Sequence, residues 1–375
     1  MSIGVGPSAA CTWAAIHHMN ERVHGNAAQP PHFCTHALRA YADTRGSERS
    51  VIHDFSTDCL SDAYSFSYVR TAGKVAGTTL QIAYLLQQMC HIHYKAEPEE
   101  KNITMHGGST VPEGCERSLA SQGIFQCIAG NHTDVEAADN SHAACTRSSC
   151  TVGSAVSFAP VRNPFARAVS IYRHVFMGVS TPMAIRGFAR LYGRRRTTTT
   201  LDAAYSGHGV KQFHWQQQIP PLLEWCRLAV TSKSSTLLHL VRLEPNLLTN
   251  LDPVVAAINE NRKPGLPPLP TPGGIRSKNV RSYKTSCPWQ CYFELCGHAC
   301  LEQVATRWFP LDVRVFDAAG LYAAPKTLAE LWGMPSTELI HVNKSTHALT
   351  RLNDSARANR CRTMCGTANS TMQRF

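Results

Sequence analysis

One segment of the sequence combines the residue types that bind phosphate groups, Thr71-Ala-Gly-Lys-Val-Ala-Gly-Thr-Thr79. Glycine-rich turns that lead into a helix direct backbone N–H groups and the positive helix end at one point, which favours an anion. The ammonium group of Lys74 would add charge there, and the hydroxyls of Thr78 and Thr79 would add hydrogen-bond donors. The segment therefore predicts a phosphate site formed by Gly73, Lys74, Val75, Ala76, Gly77, Thr78 and Thr79.

The spacing within this loop differs from that of the P-loop in ATP- and GTP-binding proteins. In the P-loop the lysine directly precedes a Ser or Thr, whereas Lys74 lies four residues before Thr78. This spacing disfavours a nucleotide-dependent phosphotransferase. A plain glycine-rich turn between a strand and a helix remains an alternative interpretation of the loop by itself.

A second segment, Val161-Arg-Asn-Pro-Phe-Ala-Arg-Ala-Val-Ser-Ile-Tyr-Arg173, has a more specific pattern. Arg162 ends a predicted strand, where a guanidinium can bind a phosphate through two parallel hydrogen bonds. Asn163 and Pro164 are typical of a helix start, and Ser170 lies two turns into that helix. We expect Arg162 and Ser170 to bind one phosphate together. A capped helix with a solvated arginine is the alternative.

Strands and helices alternate along the chain around these two segments. Alternating aromatic and polar residues predict a strand at 64–70, and apolar residues at helical spacing predict a helix at 80–90. Further strands are predicted at 123–129, 155–162 and 237–243, and further helices at 163–176, 253–259 and 291–308. Because strands that alternate with helices form parallel sheets, we expect an α/β fold whose central, largely parallel sheet is flanked by helices.

The composition restricts the class of protein. Hydrophobic residues make up 43% of the 375 residues, which excludes a wholly disordered chain. Lys and Arg number 37 against 26 Asp and Glu, so the net charge is +11 and anionic partners are favoured, whether nucleotide, glycan, nucleic acid or lipid headgroup. The sequence predicts neither a membrane span nor a signal peptide.

Fifteen cysteines are many for a cytosolic enzyme and are typical of an oxidising compartment. Because the count is odd, at least one thiol stays unpaired within a single chain. Five Asn-X-Ser/Thr sequons favour the same compartment weakly, although chance explains them equally well in a Ser- and Thr-rich chain. They begin at Asn102, Asn131, Asn343, Asn353 and Asn369.

A cluster of possible zinc ligands overlaps the predicted amphipathic helix at 291–308. No second Cys/His cluster completes a tetrahedral set with clear spacing, so disulfides or buried thiols are the favoured interpretation. The cluster consists of Cys287, Cys291, Cys296, His298 and Cys300.

The two phosphate segments resemble the 5′-phosphosulfate loop and the 3′-phosphate motif of sulfotransferases that use 3′-phosphoadenosine 5′-phosphosulfate (PAPS). The closest resemblance is to the Golgi carbohydrate sulfotransferases, in the branch that contains the uronyl (heparan) 2-O-sulfotransferases. The similarity covers about 64–322 and is loose outside the two motifs. Similar stretches are Leu80-Gln-Ile-Ala-Tyr84, His214-Trp-Gln-Gln-Gln218, His239-Leu-Val-Arg-Leu-Glu244 and 292–316. Gly73 departs from the proline usual before the lysine, 113–154 is poorly matched, and the common membrane anchor is absent.

This resemblance implies a P-loop-like three-layer sandwich and a PAPS-dependent carbohydrate sulfotransferase that needs no metal. It divides the chain into an N-terminal extension (1–62), a sulfotransferase domain (63–324) and a C-terminal appendage (325–375). The implied acceptor is a glycan, favoured to be anionic by the net charge, and nucleic acid is not an expected partner. The implied location is the Golgi lumen with membrane association, while the missing span leaves a cytoplasmic location open. A non-catalytic glycan- or polyanion-binding relative is the main alternative.

The resemblance also assigns roles to residues. Lys74 would neutralise charge on the bridging oxygen, the loop would hold the 5′-phosphate, and Arg162 with Ser170 would hold the 3′-phosphate. His132 would be the catalytic base, because Gly130-Asn-His132 is similar to a Gly-x-His position in the 2-O branch. His93 and Glu97 are weaker candidates for the base.

Overall fold

The computed structural model describes residues 33, 34, 37, 57–69, 71, 72, 75, 84–104, 110–127, 154–175, 181–193, 217–231, 237–244, 247–272, 287–334 and 352–366. The strands are β1 (Thr57–Ser61), β2 (Phe66–Val69), β3 (Asn102–Thr104), β4 (Thr110–Pro112), β5 (Gln126–Cys127), β6 (Val156–Val161) and β7 (Leu237–Arg242). The α-helices are α1 (Gln87–His93), α2 (Cys115–Ser121), α3 (Pro164–Val175), α4 (Thr181–Tyr192), α5 (Ile219–Thr231), α6 (Leu247–Asn261), α7 (Trp289–Cys296), α8 (His298–Gln303), α9 (Pro310–Ala318), α10 (Leu328–Trp332) and α11 (Asp354–Met364).

Five strands form the main sheet, in the order β5-β1-β2-β6-β7. β6 pairs parallel with both β2 and β7, whereas β1 pairs antiparallel with β2 and β5. Four of these five strands therefore point in the same direction and β1 is reversed. The predicted α/β fold with a largely parallel central sheet is confirmed, and four of its strands correspond to the predicted ones at 64–70, 123–129, 155–162 and 237–243.

The main sheet buries both of its faces, because successive side chains along a strand point to opposite sides. On β2, Phe66 and Tyr68 pack in a layer with α1, α2 and α6, while Val69 packs on the opposite side. On β6, Phe158 joins the first layer and Val161 joins the second, where α5 and α9 lie. Apolar strands of this kind are typical of a parallel sheet with helices on both faces.

A third apolar cluster is built from helices. It unites α3, α4, α7, α8, α10 and α11, and we call it the helical cluster; Phe165, Phe188 and Phe293 lie at its centre with rings packed edge to face. Two disulfides join its last helix, α11, to the beginning of α7, Cys287–Cys365 and Cys291–Cys361.

The division into extension, central domain and appendage stays a prediction. β1 lies before residue 62 and pairs with β2 inside the main sheet. α10 and α11 lie after residue 324 and pack into the helical cluster. β1 thus shares the main sheet with the central part of the chain, and α10 and α11 share the helical cluster with it.

Two predicted helices differ from the observed ones. The predicted helix at 291–308 is interrupted at Gly297, whose φ of 93° is incompatible with a continuing right-handed helix. The chain continues as α8 and then as a π-helical turn, Val304–Trp308. The helix predicted at 253–259 begins earlier, at Leu247, and Pro253 lies in its interior. Proline is usual in the first turn of a helix, so the sequence predicted a helix start at Pro253, whereas Pro253 lies in the second turn.

Disulfides are confirmed at the cysteines for which zinc binding was the alternative. Cys296 pairs with Cys300 across the Gly297 break, and Cys287 and Cys291 pair with α11. Cys90–Cys115 joins α1 to α2, and Cys34–Cys226 joins the N-terminal part of the chain to α5. Disulfides are characteristic of proteins that fold in an oxidising compartment such as the secretory pathway. Among the helices that the structure describes, none is both long and apolar enough to span a bilayer.

Candidate functional site

The carboxyl ends of β2, β6 and β7 meet at one edge of the main sheet, because the three strands are parallel neighbours. The residues just beyond these ends are Thr71, Arg162 and Glu244. After β2 the chain continues to β5, which lies beyond β1 on one side of β2, and then to β6, which lies on the other side. The carboxyl ends of β2 and β6 therefore form a topological switch point. Ligands of open α/β sheets bind at such a point. We call this place the carboxyl edge.

The beginning of the first phosphate segment lies against the beginning of the second. The Thr71 hydroxyl donates a 2.8 Å hydrogen bond to the Pro160 carbonyl oxygen, two residues before Arg162. Thr71, Ala72 and Val75 are buried, so they anchor the loop to the sheet. The other residues predicted to bind the 5′-phosphate lie outside the described part of the chain, namely Gly73, Lys74, Ala76, Gly77, Thr78 and Thr79. His132 lies outside it as well.

Arg162 is held at both its backbone and its side chain. The amide side chain of Gln218 accepts a 2.8 Å hydrogen bond from the Arg162 N–H and donates a 2.9 Å bond to the Arg162 carbonyl oxygen. Gln218 therefore pairs with Arg162 as a neighbouring strand residue would. The Arg162 Nε–H donates to Oε1 of Glu244 at 3.1 Å, and Arg162 is only 7% exposed.

Glu244 organises the turn between β6 and α3. Its two carboxylate oxygens accept hydrogen bonds from Arg162 Nε, from the Asn163 backbone N–H at 3.2 Å and from the Tyr322 hydroxyl at 2.9 Å. Burial raises the pKa of Glu244, and the Arg162 guanidinium opposes that shift by favouring the carboxylate. A buried carboxylate without such donors would be very costly, so the three contacts explain why it is tolerated.

The alternative interpretation of the second segment was a capped helix with a solvated arginine. The helix cap is confirmed, but the solvated arginine is wrong. Oδ1 of Asn163 accepts hydrogen bonds from the N–H groups of Phe165 at 2.9 Å and Ala166 at 3.4 Å, as an N-cap does. Arg162 is buried rather than solvated, because Glu244 supplies a counter-charge inside the protein. The segment therefore builds more than a surface helix start.

A second buried ion pair connects the carboxyl edge to α9. The Arg167 Nη1 atom lies 3.5 Å from Oδ2 of Asp312, and both side chains are fully buried. Asp312 Oδ1 also accepts hydrogen bonds from the backbone N–H groups of Gln218 at 2.6 Å and Ile219 at 3.0 Å. Burial raises the pKa of Asp312 to about 6, while the Arg167 guanidinium opposes the shift. Asp312 thus holds the residue that in turn holds the Arg162 backbone.

Ser170 lies on α3 and is half-buried. No hydrogen bond joins its hydroxyl to Arg162, although both residues belong to the described part of the chain. The structure places them on one turn-and-helix unit, and their joint binding of a phosphate stays a prediction.

The weaker candidates for the catalytic base do not lie at the carboxyl edge. His93 Nε2 is 2.7 Å from the hydroxyl of Tyr64, which precedes β2 and so lies at its amino end. Because the Tyr64 hydroxyl donates to the Pro267 carbonyl oxygen, His93 must donate to Tyr64 through Nε2–H. β2 contains four residues and spans roughly 13 Å, which separates His93 from the opposite edge. Glu97 is exposed, four residues beyond His93.

Sequence reasoning missed the residues that hold Arg162. Gln218, Glu244 and Asp312 lie in stretches of the expected resemblance to sulfotransferases, but nothing in their spacing assigned them a role. A lone Gln, Glu or Asp indicates no partner until the fold brings the strand ends together.

No family model, no curated protein and no solved structure matches this chain.

Proposed function

We propose that this chain is a sulfotransferase that moves the sulfuryl group of PAPS to a hydroxyl of a carbohydrate acceptor. The observation that carries the proposal is the contact of the two phosphate segments at the carboxyl edge, where Thr71 donates to Pro160. PAPS carries a 5′-phosphosulfate and a 3′-phosphate on one adenosine, so its binding needs two anion sites close together. Parallel pairing of β2 with β6 meets that need.

In the proposed reaction an acceptor hydroxyl oxygen attacks sulfur in line. A new O–S bond forms, the bond from sulfur to the bridging oxygen of the phosphosulfate breaks, and adenosine 3′,5′-bisphosphate leaves with that electron pair. Lys74 stabilises the charge that develops on the bridging oxygen, while the backbone amides of 73–79 and the hydroxyls of Thr78 and Thr79 hold the 5′-phosphate. His132 accepts the proton of the acceptor hydroxyl. Catalysis then depends on positioning and charge, and no metal takes part.

Arg162 and Ser170 hold the 3′-phosphate in this proposal. A guanidinium fixed at the end of a strand can bind two phosphate oxygens at once, which a hydroxyl cannot. This contact would distinguish PAPS from ATP, which lacks a 3′-phosphate. The wrong lysine spacing for a P-loop further disfavours a phosphotransferase.

The proposed acceptor is a glycan, and the net charge of +11 favours an anionic one. The disulfides support synthesis in the secretory pathway. The Golgi lumen, with membrane association, is the finer location that the resemblance suggests, and nucleic acid is not a proposed partner.

One observation favours a second candidate function, a non-catalytic relative that binds polyanions. Arg162 is 7% exposed and its Nε–H is directed at Glu244, as in a purely structural ion pair. If the ion pair with Glu244 is the whole role of Arg162, the protein has the same fold but no binding site for the 3′-phosphate.

Thermal unfolding with added nucleotide separates these candidates, because a ligand that binds the native state raises Tm. We expect adenosine 3′,5′-bisphosphate to raise Tm by several degrees, and ATP at equal concentration to raise it much less. Equal shifts with the two nucleotides would favour a phosphotransferase. The absence of any shift with the bisphosphate would contradict the sulfotransferase proposal and favour the polyanion-binding relative.

A further inference from the structure

We propose that Glu244 is a positioning residue for nucleotide recognition, which fixes the direction of the Arg162 guanidinium and thereby the preference for a 3′-phosphate. This inference rests on the proposed function, since it assigns how the 3′-phosphate site is built. Glu244 is a carboxylate and repels phosphate, so it acts through Arg162 and not by touching the nucleotide.

The Glu244 carboxylate holds the beginning of the second phosphate segment at two points. One oxygen holds the Arg162 side chain at Nε, and the other holds the backbone of the next residue, Asn163. The turn from β6 into α3 is therefore tied to the end of β7. The Tyr322 hydroxyl donates to the same carboxylate oxygen as the Asn163 N–H.

A guanidinium held in this way binds a phosphate with less loss of side-chain freedom than a mobile one. Preorganisation of this kind strengthens binding by lowering the ordering cost. The negative charge of Glu244 also offsets the positive charge of Arg162, so the pair attracts anions in general only weakly. The direction of the Arg162 guanidinium, rather than its charge, would then determine which anion binds. The expected signature is a change in selectivity between nucleotides, and not a uniform loss of affinity.

The variant Glu244→Gln keeps the size of the side chain but replaces one acceptor oxygen with an NH₂ group that faces N–H or O–H donors. We would measure Kd for adenosine 3′,5′-bisphosphate and for adenosine 5′-monophosphate, which differ by the 3′-phosphate. We expect wild type to prefer the bisphosphate and E244Q to lose about tenfold of that preference. Tyr322→Phe is the control, because it removes the hydroxyl that bonds Glu244 and the Val161 carbonyl oxygen but leaves the contact of Glu244 with Arg162. The preference of this variant should stay near that of wild type.

The outcomes separate two failures. If wild type shows no preference for the bisphosphate, the proposed function fails. If wild type shows it and E244Q retains it in full, or if E244Q and Y322F lose affinity for both nucleotides equally, Glu244 has a structural role alone and the inference is overturned.

A measurement on the wild-type protein covers the case in which E244Q does not fold. The Nε–H resonance of Arg162, assigned through its loss in Arg162→Lys, reports the contact with Glu244 directly. We expect the bisphosphate to shift this resonance and the monophosphate to leave it in place. A resonance that neither nucleotide shifts, although the bisphosphate binds, would overturn the inference.

Discussion

The carboxyl edge and the helical cluster both hold side chains in fixed positions, but by different means. At the carboxyl edge, Arg162 is held by a buried carboxylate and by the amide side chain of Gln218. In the helical cluster, α11 is held to α7 by two disulfides, one between Cys291 and Cys361 on the helices and one between Cys287 and Cys365 just beyond their ends. Hydrogen bonds and ion pairs position groups that can meet a ligand, whereas disulfides serve stability. Substitutions at the carboxyl edge should therefore change nucleotide affinity and turnover. Substitutions in the helical cluster should change the free energy of unfolding.

The largest effect should come from removing both disulfides of the helical cluster. Cys287–Cys365 and Cys291–Cys361 close almost the same loop, with sequence separations of 78 and 70 residues. Replacing all four cysteines with alanine should lower the free energy of unfolding by about 4 kcal/mol, whereas replacing one pair should cost much less, because the other still closes the loop. Chemical denaturation of the three variants measures this. Additive losses from the two single-pair variants would contradict it, and bisphosphate affinity should stay unchanged where the protein is folded.

The next largest effect should come from Lys74→Ala, in the first phosphate segment. Loss of a positive charge beside the bridging oxygen should lower kcat by about 10²-fold or more, with little change in Tm. Turnover of a glycan acceptor with PAPS measures this, and Lys95→Ala, which removes an exposed lysine, is the matched control. Near-normal turnover in K74A would mean that the loop has no catalytic lysine.

Arg162→Ala and Ser170→Ala should differ in size. We expect Arg162→Ala to weaken binding of adenosine 3′,5′-bisphosphate by about 10- to 100-fold, because a charge-assisted contact is lost, and Ser170→Ala by less than about tenfold. Titration calorimetry gives both values. Unchanged affinity in both variants would reduce the segment to a capped helix with a buried structural ion pair.

The smallest effect should come from a titrating group at the opposite edge of the main sheet. Burial lowers the pKa of His93, so the unfolded chain binds a proton more readily than the native protein does. Stability should therefore be highest above about pH 6.5, the ordinary histidine pKa, and should fall as the pH drops below it. Denaturation of wild type and His93→Gln from pH 7.5 to 5 tests this. The pH-dependent loss should be smaller in the variant, and bisphosphate affinity should not differ between them.

The sequence predicted the parts of the fold that depend on local pattern. The apolar run of β6 and the Asn163-Pro164 helix start are encoded within a few residues, and both were placed correctly. β1 was missed because Thr57–Ser61 carries no strong alternation, and its strand conformation depends on pairing with β2 and β5. The break at Gly297 was missed because the apolar spacing continues across it.

The sequence offered candidate ligand-binding residues for the site but not the residues that hold them in place. Arg162 stands in a recognisable motif, but Glu244 lies 82 residues further along the chain. Their contact exists because β6 and β7 are parallel neighbours, which no local pattern in either segment specifies. The burial of Arg162 follows from the same contact and could not be read from the motif.

The disulfide between Cys34 and Cys226 imposes an order on biosynthesis. Its cysteines are 192 residues apart, so at 5 to 20 residues per second Cys34 is synthesised about 10 to 40 s before its partner. Six other cysteines are made in that interval, and each competes for the Cys34 thiol. Any non-native pairing that forms in this interval has to be corrected by thiol–disulfide exchange, which takes seconds to hours. Expression yield of this chain should therefore depend on the thiol–disulfide isomerases of the host as well as on the stability of the finished fold.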